Sequence, residues 1–322
     1  MSTRADDLID RRRLRRKVTF WRIATFLVIV LALTAATQWL FDGVMGVSAP
    51  HIAQVRIEGT IMEDEELLDV LDRVRQSPAV EGVIITIDSP GGTTAGGEAI
   101  FEEIRRLAAE KPVVAQVGTL AASAGYMVAS ATDHIVARKT SIVGSIGVIV
   151  QFPEITGLLD KIGISVEEVK SSPLKAEPSP FNETTEEELQ MLRTMILDSY
   201  DWFIDLIADR RPLSREQVLE IADGRVFTGR QAVDLQLVDA LGGEREARAW
   251  LVEEGVGDDL EIVEWKPRNS GGSLFLPGFA NWIAGVLGLP PQEDLLHRLG
   301  LERIFLDGLL SLWQPERIGF AD

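Results

Sequence analysis

The sequence predicts an α/β fold with a mostly parallel sheet. Two short stretches, Val83–Ile87 and Val113–Val117, are apolar almost throughout, as strands covered on both faces are. Between them, Gly96–Glu110 has helical spacing and the length a crossover helix needs. Glycines and other small residues cluster where both strands end, and parallel sheets bind ligands at those ends.

The elements follow in order. His51–Ile57 alternates and is rich in β-formers, so it reads as a strand. Asp64–Gln76 reads as a helix with Leu67, Leu68, Leu71 and Val74 on one face. After Val83–Ile87, Gly96–Glu110 and Val113–Val117 come a short helix at Ser123–Ser130 and a strand at His134–Ala137. Thr185-x-x-Glu188 is a capping box, in which the side chains at each end bond the other residue's backbone N–H. It opens a long helix with an apolar stripe of Leu189, Leu192, Ile196, Phe203 and Ile207. Ser214-x-x-Gln217 and Thr228-x-x-Gln231 open two more helices in the same way.

Composition narrows the function. The 322 residues are 46% hydrophobic and 25% charged, which excludes a disordered or low-complexity chain. There is no cysteine, so disulfides, thiolate metal sites and a cysteine nucleophile are excluded together. The three histidines, His51, His134 and His297, lack metal-ligand spacing, and neither a metal site nor a bound cofactor is expected. A net charge of −18 argues against nucleic acid as a partner.

That charge is uneven. Residues 1–22 carry eight Arg and Lys against three Asp, a net of +5, which leaves −23 on the rest of the chain. Ile23–Leu40 follows with no charge, about 27 Å of helix at 1.5 Å per residue, close to the thickness of a bilayer core. Trp21 and Trp39 flank it as interfacial aromatics do, and basic residues stay cytoplasmic. A cleaved signal peptide is the alternative. Its apolar core is shorter, and Thr37–Phe41 is bulky where cleavage needs small residues, although Val47-Ser48-Ala49 keeps a site open.

Two strand ends can carry chemistry. Asp88-Ser89-Pro90-Gly91-Gly92 reads as a turn whose glycines let a ligand approach backbone N–H groups, or as a plain strand-to-helix turn. It matches no phosphate-binding loop. Gly118–Tyr126 places Ser123 between Ala122 and Ala124 at a strand-to-helix turn, like a nucleophile elbow. There a substrate carbonyl can approach closely, and helix amides can face a developing oxyanion. A small-residue helix packed on the sheet is the plainer reading.

A serine nucleophile needs a base, and histidine is scarce. A Ser–Lys dyad is the remaining solution, with a lysine kept neutral by desolvation. Of seven lysines, most lie in charged or terminal segments. Lys175 sits in the weakly charged loop Ser171–Ala176, but spacing alone does not separate it from Lys170.

Four ordered motifs are Asp88–Gly92, Ala122–Tyr126, Gly144-Ser145-Ile146-Gly147-Val148 and Asp223-Gly224-Arg225-Val226-Phe227-Thr228-Gly229. Together with Leu237-Val238-Asp239 they resemble the signal peptide peptidase A family over residues 50–250, in its short form with one protease domain. The resemblance implies a Clp-protease/crotonase-like core of repeated ββα and βαβ units, preceded by one transmembrane helix. It implies a membrane-bound serine endopeptidase that degrades signal peptides left after secretion.

By position, Ser123 is the nucleophile, Lys175 the general base, and Gly91 or Gly92 and Ala124 the oxyanion donors. Gln236 stands where the family usually has glycine, and Pro-Leu-Lys-Ala around Lys175 is looser than the usual pattern. Family members form rings in which Ser and Lys come from neighbouring domains or protomers, so a homo-oligomeric ring is expected here. Peptides and the bilayer are the other expected partners. The expected location is the bacterial inner membrane, with a cytoplasmic N-terminus and the catalytic domain outside.

The expected layout is a basic cytoplasmic segment (1–22), an anchor (23–41), a linker (42–50), a peptidase domain (51–250) and an extension (251–322). Within the extension, 270–290 is apolar and Gly-rich, and 293–313 has an amphipathic stripe of Leu301, Phe305, Leu309 and Leu312. An inactive membrane scaffold, or a crotonase-like enzyme acting on acyl thioesters, is the alternative.

Overall fold

The computed structural model describes residues 20–30, 32–34, 49–267 and 310–312. It divides into two compact units, Met1–Pro50 and His51–Asp322. In the first, residues 20–30 and 32–34 are helical (α1). Among the described residues no helix is long and apolar enough to cross a membrane. The rest of the expected anchor at 23–41, nearly all of the basic segment and most of the linker lie outside the described residues. So do 268–309 and 313–322.

The second unit is an α/β fold with a mixed, mostly parallel sheet. Its strands are β1 (His51–Ile61), β2 (Val80–Thr93), β3 (Val113–Ala122), β4 (His134–Ala137), β5 (Ile142–Gly144), β6 (Val226–Thr228), β7 (Ala240–Leu241), β8 (Glu261–Glu264) and β9 (Leu310–Leu312). The main path runs β6-β5-β3-β2-β1-β8, with β4 alongside β3, β7 alongside β4, and β9 on β2. Only β5–β6 and β2–β9 pair antiparallel among the described residues. The helices are α2 (Glu65–Gln76), α3 (Thr94–Ala108), α4 (Ala124–Ser130), α5 (Thr156–Ile162), α6 (Glu186–Arg210), α7 (Arg215–Ile221), α8 (Gly229–Asp234) and α9 (Glu244–Glu253).

The apolar strands are explained by burial on both faces. Ile52, Ile84, Val114 and Val136 pack against Ala247 and Leu251 of α9, while their neighbours Ala53, Val83, Ile85, Val113 and Ala115 join the larger core. Within the α9 face, Gln54, Thr86 and Gln116 form a hydrogen-bonded row across β1, β2 and β3. Gln54 Nε2 donates to Thr86 Oγ1 at 3.1 Å, and Thr86 Oγ1 donates to Gln116 Oε1 at 3.4 Å.

Capping sets most helix starts. Asp64 caps α2 by accepting from the N–H groups of Glu66 and Leu67. The three capping boxes at Thr185, Ser214 and Thr228 all form. The C-terminal end of α8 is a Schellman motif, with Gln236 N–H on Val233 O and Leu237 N–H on Ala232 O. Gln236 occupies its left-handed position at φ 58°, the conformation for which glycine is normally chosen.

Three expectations change. The segment Asp88–Gly92 is not a turn: β2 stays extended to Thr93, which itself caps α3. The α6 stripe is buried at Leu192, Phe203 and Ile207 but not at Leu189 or Ile196. Leu312, expected in a helical stripe, lies in strand β9.

Candidate active site

Ser123 stands between β3 and α4 and is 1% exposed. Its backbone has φ 56° and ψ −118°, a region non-glycine residues avoid. Two backbone bonds hold it there: its N–H donates to Gly144 O at 2.7 Å, and its carbonyl accepts from Met127 N–H at 2.9 Å. The hydroxyl does not cap the helix. Ala124 follows as the first residue of α4, fully buried.

The β2 end lies directly beside this turn. Ser89 pairs with Ala121, and a side chain at Gly125 would come within 2.9 Å of Ser89 O. A Cβ at Gly97 of α3 would touch Ala124 Cβ at 3.1 Å. Glycine at 97 and 125 is therefore what lets α3, α4 and β2 close up around the serine. Ser89 Oγ donates to Gly59 O at 2.6 Å and accepts Gly91 N–H at 3.1 Å, so it shapes the glycine segment. Gly91 adopts φ 107°. Gly92 has no room for a side chain, since a Cβ would fall 1.7 Å from Ile61 O. Gly91, Gly92, Ser123 and Ala124 thus share one end of the sheet.

The remaining motifs brace that end. Gly144 is at φ 99°, against the Phe227 ring, and Ser145 at φ 53° donates its N–H to Arg225 O at 2.8 Å. Beneath α4, the buried Tyr126 hydroxyl donates to Leu237 O at 2.8 Å, and burial pushes its pKa up. Arg211 holds both oxygens of Asp239, at 3.0 and 2.7 Å, and donates to Gln236 O at 2.9 Å. Arg210 caps the far end of α4 by donating to Ser130 O and Thr132 O, each at 3.0 Å.

Lys175 is exposed, on the segment between α5 and α6. Its N–H donates to Ser172 O at 3.2 Å, and Ala176 after it has φ 63°. Among the described residues its ammonium forms no ion pair. Lys170 differs sharply, being paired with Glu168 and Glu177. Hydrogen bonds donated to those two carboxylates hold its pKa above the ordinary lysine value. Glu177 also accepts from Ser179 N–H at 2.7 Å and Asn182 Nδ2 at 3.0 Å, so this buried carboxylate gathers the loop around Lys175. Sequence reasoning missed this clamp, whose only trace is the acidic residues flanking Lys170 and Lys175.

His51 and His134 take structural roles, stacked on Trp265 and Trp250. No cluster of His, Asp and Glu able to hold a metal occurs among the described residues.

Comparison with known proteins decides the family. Residues 105–256 match the model of peptidase family S49. A candidate protease of Methanocaldococcus jannaschii is 39% identical over 218 residues, covering 68% of this chain and 70% of that protein. The chain belongs to peptidase family S49. It is a serine protease of signal peptide peptidase type. A candidate signal peptide peptidase SppA of Enterococcus faecium is 29% identical over 292 residues, 86% of this chain and 80% of that one. Protease 4 of Haemophilus influenzae is longer: 34% identity extends over 206 residues, a third (33%) of that protein. The S49 match spans Ser123 and Lys175 as well as the Asp223–Gly229 motif.

Proposed function

We propose that this S49 protease is a membrane-anchored endopeptidase that uses Ser123 and Lys175 to degrade signal-peptide remnants and other hydrophobic peptides. The observation that carries the reading is the strained Ser123 backbone beside the extended Gly91–Gly92 strand. Strain of this kind persists only where surrounding structure enforces it, and it clusters at active sites.

The chemistry is acyl transfer. Neutral Lys175 takes the proton of Ser123, whose Oγ attacks the peptide carbonyl; the tetrahedral intermediate collapses as the leaving amine takes that proton. Water then hydrolyses the acyl-enzyme with Lys175 as base again. Gly91 or Gly92, together with Ala124, would supply the oxyanion donors, each worth ~3 kcal/mol in the transition state. Lys170 is unsuited to the base role because its carboxylate partners keep it charged.

A homo-oligomeric ring would bring the dyad into a desolvated setting. Ser123 is buried while Lys175 is exposed, on a stretch that also exposes Leu158, Ile162, Ile164, Val169 and Phe181. Exposed apolar residues gathered in one stretch of chain suit an association surface. A neighbouring copy that covers this surface would desolvate the lysine that serves it. The core then is of the Clp-protease/crotonase-like type, anchored by residues 23–41, with the protease domain outside the cytoplasmic membrane.

The test is hydrolysis of a fluorogenic hydrophobic peptide by detergent-solubilised protein. Ser123→Ala and Lys175→Ala should each lose at least ~10³-fold in kcat/KM. Mixing the two inactive variants should restore about a quarter of wild-type activity if each site draws on two copies. No restoration would place the dyad within one chain. A wild-type protein that cuts no peptide and reacts with no fluorophosphonate would support the scaffold alternative. Carbonate extraction should leave the protein in membranes; release of the intact chain would overturn the anchor.

A further inference from the structure

A cavity of about 450 Å³ lies where β4 ends, lined by Arg138, Lys139 and the turn from Leu241 to Glu246. Backbone bonds fix its walls. Gly242 N–H donates to Ala137 O at 2.8 Å, and Ser141 Oγ accepts Arg138 N–H at 3.0 Å while donating to Gly118 O at 2.6 Å. Ala137 pairs with Val117, well before Ser123 in the chain, so the cavity is set back from the serine turn. Three cations line it, Arg138, Lys139 and Arg245, and among the described residues none of them forms an ion pair. The two acidic residues of the lining are engaged otherwise. Glu246 Oε2 accepts Gly243 N–H at 2.7 Å, and Glu244 Oε2 accepts from Gln54 Nε2 at 3.3 Å. The Gly243 N–H holds the Glu246 carboxyl below the usual glutamate range, and the charges of Arg245 and Arg138 add to this. A chain with −23 beyond residue 22 thus leaves three cations without carboxylate partners around one cavity.

We infer that this cavity binds a small anion with more than one oxyanion group, a diphosphate or a polycarboxylate, held between Arg138 and Arg245 with Lys139 alongside. A guanidinium presents paired N–H donors that match one phosphate or carboxylate group, and a lysine adds a point charge. Arg138 follows β4 and Arg245 belongs to α9, so the two forks come from different walls. A ligand engages both only if it carries two such groups. The volume falls within the roughly 300–1,000 Å³ of small-molecule sites. The attraction does not come from the start of α9, where Glu246 already caps Gly243 N–H. The acyl-transfer chemistry uses none of these residues, so the site adds a binding function that stands apart from the dyad.

Calorimetric titration of the full chain in detergent tests the inference, with inorganic pyrophosphate and citrate as separate probes. Salt is held at about 0.1 M, where the Debye length is about 10 Å and distant charges contribute little. At least one probe should saturate a single site per chain, and the tighter one assigns the phosphate or the carboxylate class. Arg138→Gln and Arg245→Gln should each weaken that probe at least ~tenfold, as loss of a charge-assisted pair predicts. Arg193→Gln removes an equally exposed cation from α6, outside the cavity, and should leave the affinity within about twofold. All three side chains are exposed, and equal unfolding midpoints without ligand check that the variants fold. No saturable binding of either probe would overturn the inference. So would equal weakening by Arg193→Gln, since binding would then follow the overall charge. The titration reads no peptide cleavage: if the dyad reading fails, it still reports whether the cavity holds an anion.

Discussion

The backbone N–H of Ser123 donates to the carbonyl oxygen of Gly144 across 2.7 Å, so the turn at Ser123 takes its shape from the end of β5. Gly144 can present that carbonyl because it adopts φ 99° and lies against Phe227. A Cβ at this position would meet Phe227 Cδ2 at 2.9 Å. Gly144→Ala should therefore lose about 3 kcal/mol of stability, from left-handed strain together with overpacking. Its kcat should fall further than KM changes. Urea unfolding and steady-state kinetics check both; an alanine variant with wild-type kcat would sink the role given to this bond.

The strain at Ser123 separates two inactive variants. Alanine keeps the unfavourable φ of 56°, whereas glycine relieves it at about 1–3 kcal/mol while adding under ~1 kcal/mol of unfolded-state entropy. Ser123→Gly should thus be more stable than Ser123→Ala by about 1 kcal/mol. Equal denaturation midpoints would show that the turn is unstrained.

With Lys175 as the proposed base, Glu177 would act as a positioning residue, since it ties Lys170, Ser179 and Asn182 together around that loop. Glu177→Gln keeps size and some hydrogen bonding but removes the charge that holds Lys170. About tenfold loss of kcat with KM within twofold is expected, well short of the ~10²–10⁴-fold that a general base contributes. A Lys170→Met variant should match it. Loss from Lys170→Met as deep as from Lys175→Ala would reverse the two lysines.

His134 makes stability depend on mild acid. Burial lowers its pKa in the folded protein, with Asp239 opposing. The unfolded state then binds more protons below about pH 6.5, so stability falls as pH drops from there towards the depressed folded value. His134→Phe retains the stack on Trp250 and removes this proton uptake. Urea midpoints at pH 7 and 5 should differ less in the variant than in wild type. Identical differences would exclude His134 as the cause.

Gln236 offers a stabilising change away from the serine. It holds the left-handed position of the α8 Schellman motif, and Gln236→Gly should raise stability by about 1 kcal/mol with unchanged kcat/KM. Thermal unfolding and peptide hydrolysis read the two effects.

Much of this architecture is written locally. The capping boxes at Thr185, Ser214 and Thr228 need only residues three apart, and β4 is bounded as its sequence predicts. The strand-to-helix junction at Ser123 is legible because small residues cluster where β3 gives way to α4. What escapes depends on distant partners. Glu58–Thr60 and Asp88–Thr93 remain extended because β1 and β2 bond to each other there, despite polar and glycine-rich sequence. Periodicity marks Leu189 and Ile196 as one face of α6 but cannot say that their own domain leaves them partly uncovered. The β9 pairing joins residues at opposite ends of the domain and has no local signal at all.

One strand, β2, runs without a break from the middle of the core at Val83 to the rim at Thr93. Slipping it by a single residue would turn Ile84 and Ile85 to the wrong faces and displace Gly91 and Gly92 from Ser123 in the same movement. Loss of the core register of β2 would therefore carry the rim with it. On heating, inactivation and loss of tertiary structure should trace one curve, and suppressors of a damaged catalytic rim will turn up among buried residues of this strand and its neighbours.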